Sequence, residues 1–112
     1  MGKRQGYAKG KLMTPEAKVK KVVVNQLRNL GAYYFYPVTG GYGRSGVPDI
    51  VGCYKGKFFG IECKAGKNTP TPLQQINLDV IEKQNGIALV VNEKNIHSVR
   101  DLITGDTDEE AQ

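Results

Sequence analysis

The feature that most constrains the fold of this chain is a pair of short β-forming segments joined by a Lys-Gly dipeptide. The segments are VPDIVGCY (47–54) and KFFGIECK (57–64), and both contain several β-branched or aromatic residues. Two such segments on either side of two turn residues are typical of a β-hairpin. The chain is therefore expected to contain a pair of antiparallel strands, and the turn decides which residues face one another.

This hairpin brings like charges together. If Tyr54 pairs with Lys57 across the turn, counting away from the turn places Asp49 directly opposite Glu62. Because side chains alternate between the faces of a strand, the two acids share one face, and Lys64 joins them there. Directly opposed like charges destabilise a sheet. A divalent cation between the carboxylates would offset the repulsion, and Lys64 alone could also reduce it.

The register depends on the geometry of the turn. Lys-Gly is a poorer two-residue turn than Asn-Gly, because the lysine must adopt a positive φ. A four-residue loop keeps the same pairing, whereas a loop with an odd number of residues shifts it and moves one acid to the opposite face. In the favoured register Cys53 and Cys63 point to opposite faces, so no disulfide between them is expected.

The rest of the chain alternates between helical and β-forming patterns. We expect a helix from Thr14-Pro15 to about Leu30 that stops at Gly31, a strand in 32–38, a glycine-rich loop (39–46), the hairpin, a helix from Thr71-Pro72 to Asn85-Gly86, a strand over 87–92, and a short helix or turn over about 96–103. This order, α-β-β-β-α-β, predicts an α/β fold. Its mixed four-stranded sheet is flanked by helices, and its last strand runs parallel to the third.

Hydrophobic periodicity indicates which sides of the helices are buried. The apolar stripe of the first helix consists of Val19, Val23, Leu27 and Leu30, and Glu16 lies on the same side. The second helix is expected to bury Leu73, Ile76, Val80 and Ile81. The continuous apolar run IALVVN (87–92) is typical of a strand that is buried on both faces.

Charge is divided unevenly along the chain. Residues 1–100 contain all 16 Lys and Arg but only six acids, a net charge of +10, whereas 101–112 contain five acids and no cation. A basic body predicts a polyanionic partner, most simply nucleic acid, although basic surfaces also serve solubility alone. We divide the chain into a basic arm (1–12), one globular domain (13–104) and an acidic tail (105–112). No apolar segment resembles a membrane span or a signal sequence, so a cytoplasmic protein is expected.

Five residues form a candidate catalytic set. Glu16, Asp49 and Glu62 supply carboxylate oxygens, which favour Mg²⁺ or Mn²⁺ over zinc. A metal beside Lys64 suits phosphodiester hydrolysis, because the metal activates water and the lysine can orient that water or stabilise developing charge. Gln74 lies in the first turn of the second helix, whose positive end can hold an anion or a water. Each residue alone is ordinary; their combination in a basic chain indicates a site.

These motifs resemble the VRR-NUC family of the PD-(D/E)xK nuclease superfamily. The PD corresponds to residues 48–49, the ExK to 62–64, and the small-Pro-x-Gln helix start of the family to 71–74. Glu16 matches the acid on the first helix of the family. The resemblance covers about residues 14–93, and it implies a restriction-endonuclease-like core.

Membership of that family would imply a DNA endonuclease that depends on Mg²⁺ or Mn²⁺. The metal ligands would be Glu16, Asp49, Glu62 and the backbone carbonyl of Cys63, and the catalytic residues would be Asp49, Glu62, Lys64 and Gln74. Stand-alone members of this size resemble Holliday junction resolvases, which implies a homodimer that acts on branched DNA.

Further DNA contacts are expected outside the motifs. Tyr42, Arg44 and Ser45 lie in the glycine-rich loop, and Lys67 lies in the loop that follows the ExK motif. Three other interpretations stay open. The chain could be a nicking or flap nuclease of the same fold, a nucleic-acid-binding module without catalytic activity, or a structural or assembly protein in which the motif is fortuitous.

Overall fold

The computed structural model describes residues 12–38 and 43–106. In chain order its elements are α1 (Pro15–Leu30), β1 (Tyr33–Phe35), β2 (Ile50–Tyr54), β3 (Lys57–Cys63), α2 (Pro72–Lys83), β4 (Ile87–Val91), a 3₁₀ turn (Ile96–Ser98) and α3 (Val99–Thr104). This order confirms the α-β-β-β-α-β prediction, although β1 is shorter than the expected strand. Most of the basic arm and of the acidic tail lies outside the described residues.

The four strands form one mixed sheet in the order β1-β2-β3-β4. β1, β2 and β3 are antiparallel neighbours, and β4 runs parallel to β3. The predicted α/β class is therefore confirmed. β4 is an edge strand in which four of five residues are only half-buried, so the prediction that it is buried on both faces is wrong. In the described part of the chain, no helix is long and apolar enough to cross a membrane.

α1 begins and ends at the residues that the sequence indicated. The Thr14 hydroxyl accepts a hydrogen bond from the Ala17 N–H at 3.1 Å, which caps the first turn. Gly31 ends the helix with a φ of 77°, a left-handed conformation that glycine adopts without strain. The buried stripe of α1 consists of Val19, Val23, Val24 and Leu27.

The main core lies between α1, α3 and one face of the sheet. Phe59, Ile61 and Cys63 line that face of β3, and none of them is measurably exposed. They pack with the buried stripe of α1 and with apolar residues of the C-terminal segment: Val91, Ile96, Val99 and Ile103. Burial of each large aliphatic or aromatic side chain contributes about 1.5–3 kcal/mol. This core fixes β3, so the alternate residues of β3 face the other side of the sheet.

The β2–β3 hairpin has the predicted register. Lys55 and Gly56 both have positive φ, 49° and 83°, as a tight two-residue hairpin turn requires. The ladder runs from the pair Tyr54–Lys57 at the turn to the pair Ile50–Ile61. The register also places Cys53 and Cys63 on opposite faces, and both are free thiols.

Gly52 lies where β1, β2 and the core meet. A Cβ at this position would collide with the carbonyl oxygen of Tyr33 and would lie 2.6 Å from Cζ of Phe59. The first atom belongs to the backbone of a paired strand and the second to a buried ring. Glycine therefore allows β1 and the core to close onto β2 at this point.

α2 packs on the second face of the sheet, but through a different side from the one predicted. Asn77 and Leu78 are buried and Ile81 is half-buried. Ile81 lies over Gly60 and Gly86, where an added Cβ would come within 2.6 Å and 2.8 Å of its methyl groups. The predicted side is instead exposed: Leu73 and Ile76 are each 52% exposed, and Val80 is 42% exposed. The helix has two apolar stripes about a third of a turn apart, and the space above these glycines selects the one that docks.

Candidate active site

The candidate active site lies at the end of the β2–β3 hairpin that is furthest from its turn. Asp49 immediately precedes β2, and Glu62 is the second-last residue of β3. Beyond the last ladder pair, Oδ2 of Asp49 accepts a hydrogen bond from the Cys63 N–H at 2.9 Å. This bond holds Asp49 against the strand that carries Glu62, and so it brings the two carboxylates together.

Glu62 is a buried carboxyl group without a full set of partners. It is 1% exposed, and its Oε1 has no hydrogen-bond partner among the described residues. Burial raises the pKa of Glu62 to about 7 and the charge of Asp49 raises it as well, whereas Lys64 acts in the opposite sense. A buried polar atom without a partner costs about 1–3 kcal/mol. A cation or a hydrogen-bond donor at Oε1 would therefore stabilise the folded protein.

Lys64 is the cationic member of this group. Its Nζ is 3.5 Å from Oε2 of Glu62, and its side chain is only 12% exposed. The Lys64 N–H donates to the carbonyl of Val91 at 2.9 Å, so the backbone that carries the lysine is fixed to β4. An ammonium group is thus held beside the Glu62 carboxylate in a largely desolvated position, where charges interact more strongly than in water.

Glu16 approaches the carboxylates from α1. It is half-buried in the first turn of α1. Its negative charge also raises the pKa of Glu62, although less than burial and the charge of Asp49 do. Within residues 12–38 and 43–106, no three Asp, Glu, His or Cys side chains converge closely enough to form a metal site by themselves. Asp49 and Glu62 form a pair with Glu16 nearby, and the full ligand set with the Cys63 carbonyl stays a prediction.

Gln74 has a structural role that the sequence analysis missed. Its Oε1 accepts the Thr71 N–H at 2.9 Å, and its own N–H donates to the Thr71 hydroxyl at 3.3 Å. This reciprocal pair is a capping box, and the spacing Thr-x-x-Gln is the sequence signal for it. Gln74 also lines an open depression of about 440 Å³ together with Asp49. The cap therefore fixes the start of α2 beside the carboxylate pair.

Arg44 and Ser45 are exposed and line the same depression. Asn77 anchors their loop, because its Nδ2 donates to the Ser45 carbonyl at 3.1 Å. Gly46, at a φ of 78°, lies so close to α2 that an added Cβ would be 2.7 Å from the carbonyl carbon of Leu73. The sequence analysis also missed Asn77, for which the only signal is a polar residue on an otherwise apolar side of α2.

Lys67, another predicted DNA contact, is not brought to this depression. Lys67 is exposed in the turn after β3, where the neighbouring Gly66 N–H donates to Oε1 of Glu93 at 3.0 Å. Lys67 is not among the residues that line the depression with Asp49. Tyr42 lies outside the described residues.

Lys20 is a cation at the site that the sequence analysis did not single out. It lines the depression that contains Asp49, a second depression of about 480 Å³ that contains Glu16, and a third along α1. Its Nζ lies 4.8 Å from the centre of the Tyr36 ring. The available signal is its spacing, because Lys20 is one helical turn beyond Glu16 and therefore on the same side of α1.

Comparison with solved structures finds a VRR_NUC domain that is similar to this chain. The TM-score is 0.65 with 23% sequence identity, over 78% of this chain and 95% of that one. No protein-family model and no curated protein matches the chain. At this identity the likeness concerns the fold, and it confirms that the chain has the VRR_NUC fold that its motifs implied.

Proposed function

We propose that this chain, whose fold is that of a VRR_NUC domain, is a metal-dependent endonuclease that hydrolyses phosphodiester bonds in DNA. The observation that carries the proposal is the buried carboxyl group of Glu62. Its Oε1 has no partner among the described residues, Asp49 is nearby, and Lys64 is 3.5 Å from its Oε2. Paired carboxylates beside an ammonium group suit metal-assisted hydrolysis, and the basic body would attract DNA.

The residues present fit Mg²⁺ or Mn²⁺. These hard cations prefer carboxylate and carbonyl oxygens, and Oε1 of Glu62 is an oxygen that still needs a partner. Asp49 and Glu62 would hold the ion, with Glu16 and the Cys63 carbonyl as the further ligands that the motif implies. A bound ion would polarise the scissile phosphodiester and lower the pKa of a coordinated water.

The remaining chemistry would come from side chains around the carboxylates. Lys64 can orient the attacking water or stabilise the negative charge that develops on the phosphate, because its ammonium is fixed and largely desolvated. Oε1 of Gln74 caps α2, but its amide nitrogen can still donate to a phosphate oxygen or a water. Arg44 lies at the rim, where it can contact a phosphate of the bound strand.

We further propose that the active form is a homodimer and that branched DNA, in particular a four-way junction, is the preferred substrate. Support for the dimer comes from the apolar side of α2 that faces away from the sheet: Leu73, Ile76 and Val80. Phe58, 47% exposed, lies on the same face of the sheet as α2. An exposed apolar patch of this kind marks an interaction surface, and a two-fold axis would give two sites for two strands.

Cleavage assays test the nuclease proposal. Labelled four-way junctions, flaps and linear duplexes are incubated with the protein in Mg²⁺, Mn²⁺ or EDTA. We expect nicks in the junction with either metal, and loss of cleavage in EDTA and in Asp49→Asn and Glu62→Gln. Glu82→Gln, an exposed acid near the far end of α2, is the matched control.

The outcomes separate the parts of the proposal. Folded protein that cuts none of these DNAs with either metal contradicts the nuclease function. Equal cutting of flaps, duplexes and junctions keeps the endonuclease but removes the junction preference. In that case the nicking or flap nuclease becomes the better description.

A non-catalytic DNA-binding module is the second candidate. One observation favours it, since no three metal-ligating side chains converge within residues 12–38 and 43–106. Calorimetric titration with Mn²⁺ separates the two functions. The nuclease proposal expects saturable binding that Glu62→Gln abolishes, whereas a binding module would show no specific uptake.

A further inference from the structure

A positively charged groove runs along α1 from the candidate active site. It has a volume of about 320 Å³, and its lining includes Lys20, Lys21, Arg28 and Tyr36. We propose that this groove binds the phosphate backbone of the DNA strand outside the scissile bond. The identity of the partner rests on the proposed function, because the candidate site selects DNA as the ligand.

Helical spacing places the cations of the groove on one side of α1. Lys20 and Arg28 are separated by two helical turns, and Val24 lies between them. The distance along the axis is about 12 Å at 1.5 Å per residue, or roughly three to four base steps at 3.4 Å each. α1 contains no acid after Glu16, so this side presents a row of cations with the length of a short backbone segment.

The described residues around these cations do not neutralise them. Across residues 12–38 and 43–106, neither Lys20, Lys21 nor Arg28 forms an ion pair with a carboxylate. Lys21 and Arg28 are exposed. A ligand with regularly spaced negative charges would release the counterions of such a row, and a nucleic acid backbone has this property.

Lys20 makes the groove continuous with the candidate site. It lines the groove and also the two depressions that contain Glu16 and Asp49. Its ammonium is held over the Tyr36 ring at 4.8 Å, a cation–π distance, and Tyr36 is itself 48% exposed. A strand with one phosphate at the carboxylates would therefore pass Lys20 and enter the groove, where Tyr36 offers an aromatic surface to a sugar or base.

The test compares two double variants that remove equal charge. Lys21→Gln with Arg28→Gln takes two cations from the groove and keeps Lys20, which borders the carboxylates. Lys57→Gln with Lys83→Gln removes two exposed cations at the far end of the sheet, where β3 starts and α2 ends. DNA binding is measured by fluorescence anisotropy in EDTA over about 50–200 mM salt, a range in which phosphate contacts weaken strongly. Thermal melts check that both variants are folded.

The salt dependence supplies the expected magnitude. Each phosphate contact adds about 0.9 to the slope of log affinity against log salt, roughly 3.5-fold in affinity over this range. The groove variant is expected to show a slope shallower than wild type by about 1.8. The control variant is expected to keep the wild-type slope. Equal slopes for the two double variants would overturn the inference.

Neutral methylphosphonate linkages then locate the contact on the DNA. One such linkage close to the cut should weaken binding of the wild type and make its salt slope shallower by about 0.9, and should change neither the affinity nor the slope of the groove variant further. Equal weakening of both proteins at every position contradicts a groove contact. If the groove variant has the shallower slope but the wild type cuts no DNA, the nuclease proposal fails and the groove contact stands. If the wild type cuts junctions but the two double variants have equal slopes, only the groove contact fails.

Discussion

At the scale of single residues, burial and the charge of Asp49 strongly favour the protonated form of Glu62. Its pKa is about 7 in the folded protein, against an ordinary value of 4.5 in an unfolded chain. Between these pH values the folded state binds more protons than the unfolded state, so the free energy of unfolding falls as pH rises. One pKa unit corresponds to about 1.4 kcal/mol, so the free energy of unfolding of the metal-free protein should fall by about 3 kcal/mol between pH 4.5 and 7.

Glu62→Gln is expected to remove this pH dependence, because an amide does not titrate. In EDTA the variant should be more stable than wild type above pH 7, where the wild-type carboxylate is charged and buried. Urea unfolding at several pH values from 4.5 to 8 measures the difference. Glu82→Gln should retain the wild-type profile, since Glu82 is exposed. A Glu62→Gln profile parallel to that of wild type would show that other groups carry the effect.

Lys64→Ala is expected to lower the cleavage rate by about 10²–10³-fold, the usual cost of losing one preorganised group that stabilises a transition state. DNA binding should change little. Lys64 also lowers the pKa of Glu62, so the residual activity of the variant should appear at higher pH than that of wild type. Single-turnover cleavage from pH 6 to 9 measures both effects, with Lys83→Ala, an exposed lysine at the end of α2, as the control. A pH profile that does not move would contradict the coupling of Lys64 to Glu62.

At the scale of elements, the close approach of the Arg44 loop to α2 can be tested with two glycines that share a backbone conformation. Gly46 and Gly56 have φ of 78° and 83°, but an added Cβ would meet α2 only at Gly46. Both alanine variants have the strain of a positive φ. Because of the clash with α2, Gly46→Ala should lower the free energy of unfolding by about 1–3 kcal/mol more than Gly56→Ala does. It should also reduce cleavage, because Arg44 and Asp49 flank the displaced loop. Thermal unfolding and cleavage of Gly56→Ala give the reference; equal loss in both variants would contradict the proposed contact.

Local signals were sufficient for some elements and insufficient for others. Thr14 and Gly31 are the cap residues that bound α1, and the Lys-Gly turn determines the register, because these choices depend on the backbone conformation of nearby residues. The buried side of α2 depends instead on distant residues, since Gly60 and Gly86 leave the space into which Ile81 packs. Periodicity alone could not choose between the two apolar stripes of the helix.

The candidate site divides in the same way. Asp49, Glu62 and Lys64 were predictable as neighbours, because one hairpin and the alternation of its side chains bring them together. Lys20 and Asn77 reach the site from two helices that pack on opposite faces of the sheet. No local pattern records that packing, so these contributions appear only in the folded chain.

At the scale of the whole molecule, the proposed homodimer can be tested at the exposed stripe of α2. Ile76→Glu and Val80→Glu are expected to give monomers, because a buried charge at a dimer interface costs several kcal/mol. Sedimentation velocity compares the variants with the wild type, which the proposal expects to be a dimer. Leu102→Glu is the matched control, since Leu102 is 45% exposed on α3, away from the stripe. A monomeric wild type would remove the dimer proposal and leave the nuclease proposal intact.

Gly52 has a consequence for any attempt to map this protein by saturation mutagenesis. Every side chain at this position meets the backbone of β1 and the ring of Phe59, so nearly all substitutions there should score as loss of function. The score would match that of Glu62, although Gly52 is on the opposite face of the sheet from the carboxylates. Cellular abundance distinguishes them: Gly52 variants should disappear from the soluble fraction, whereas Glu62→Gln should accumulate as intact, inactive protein.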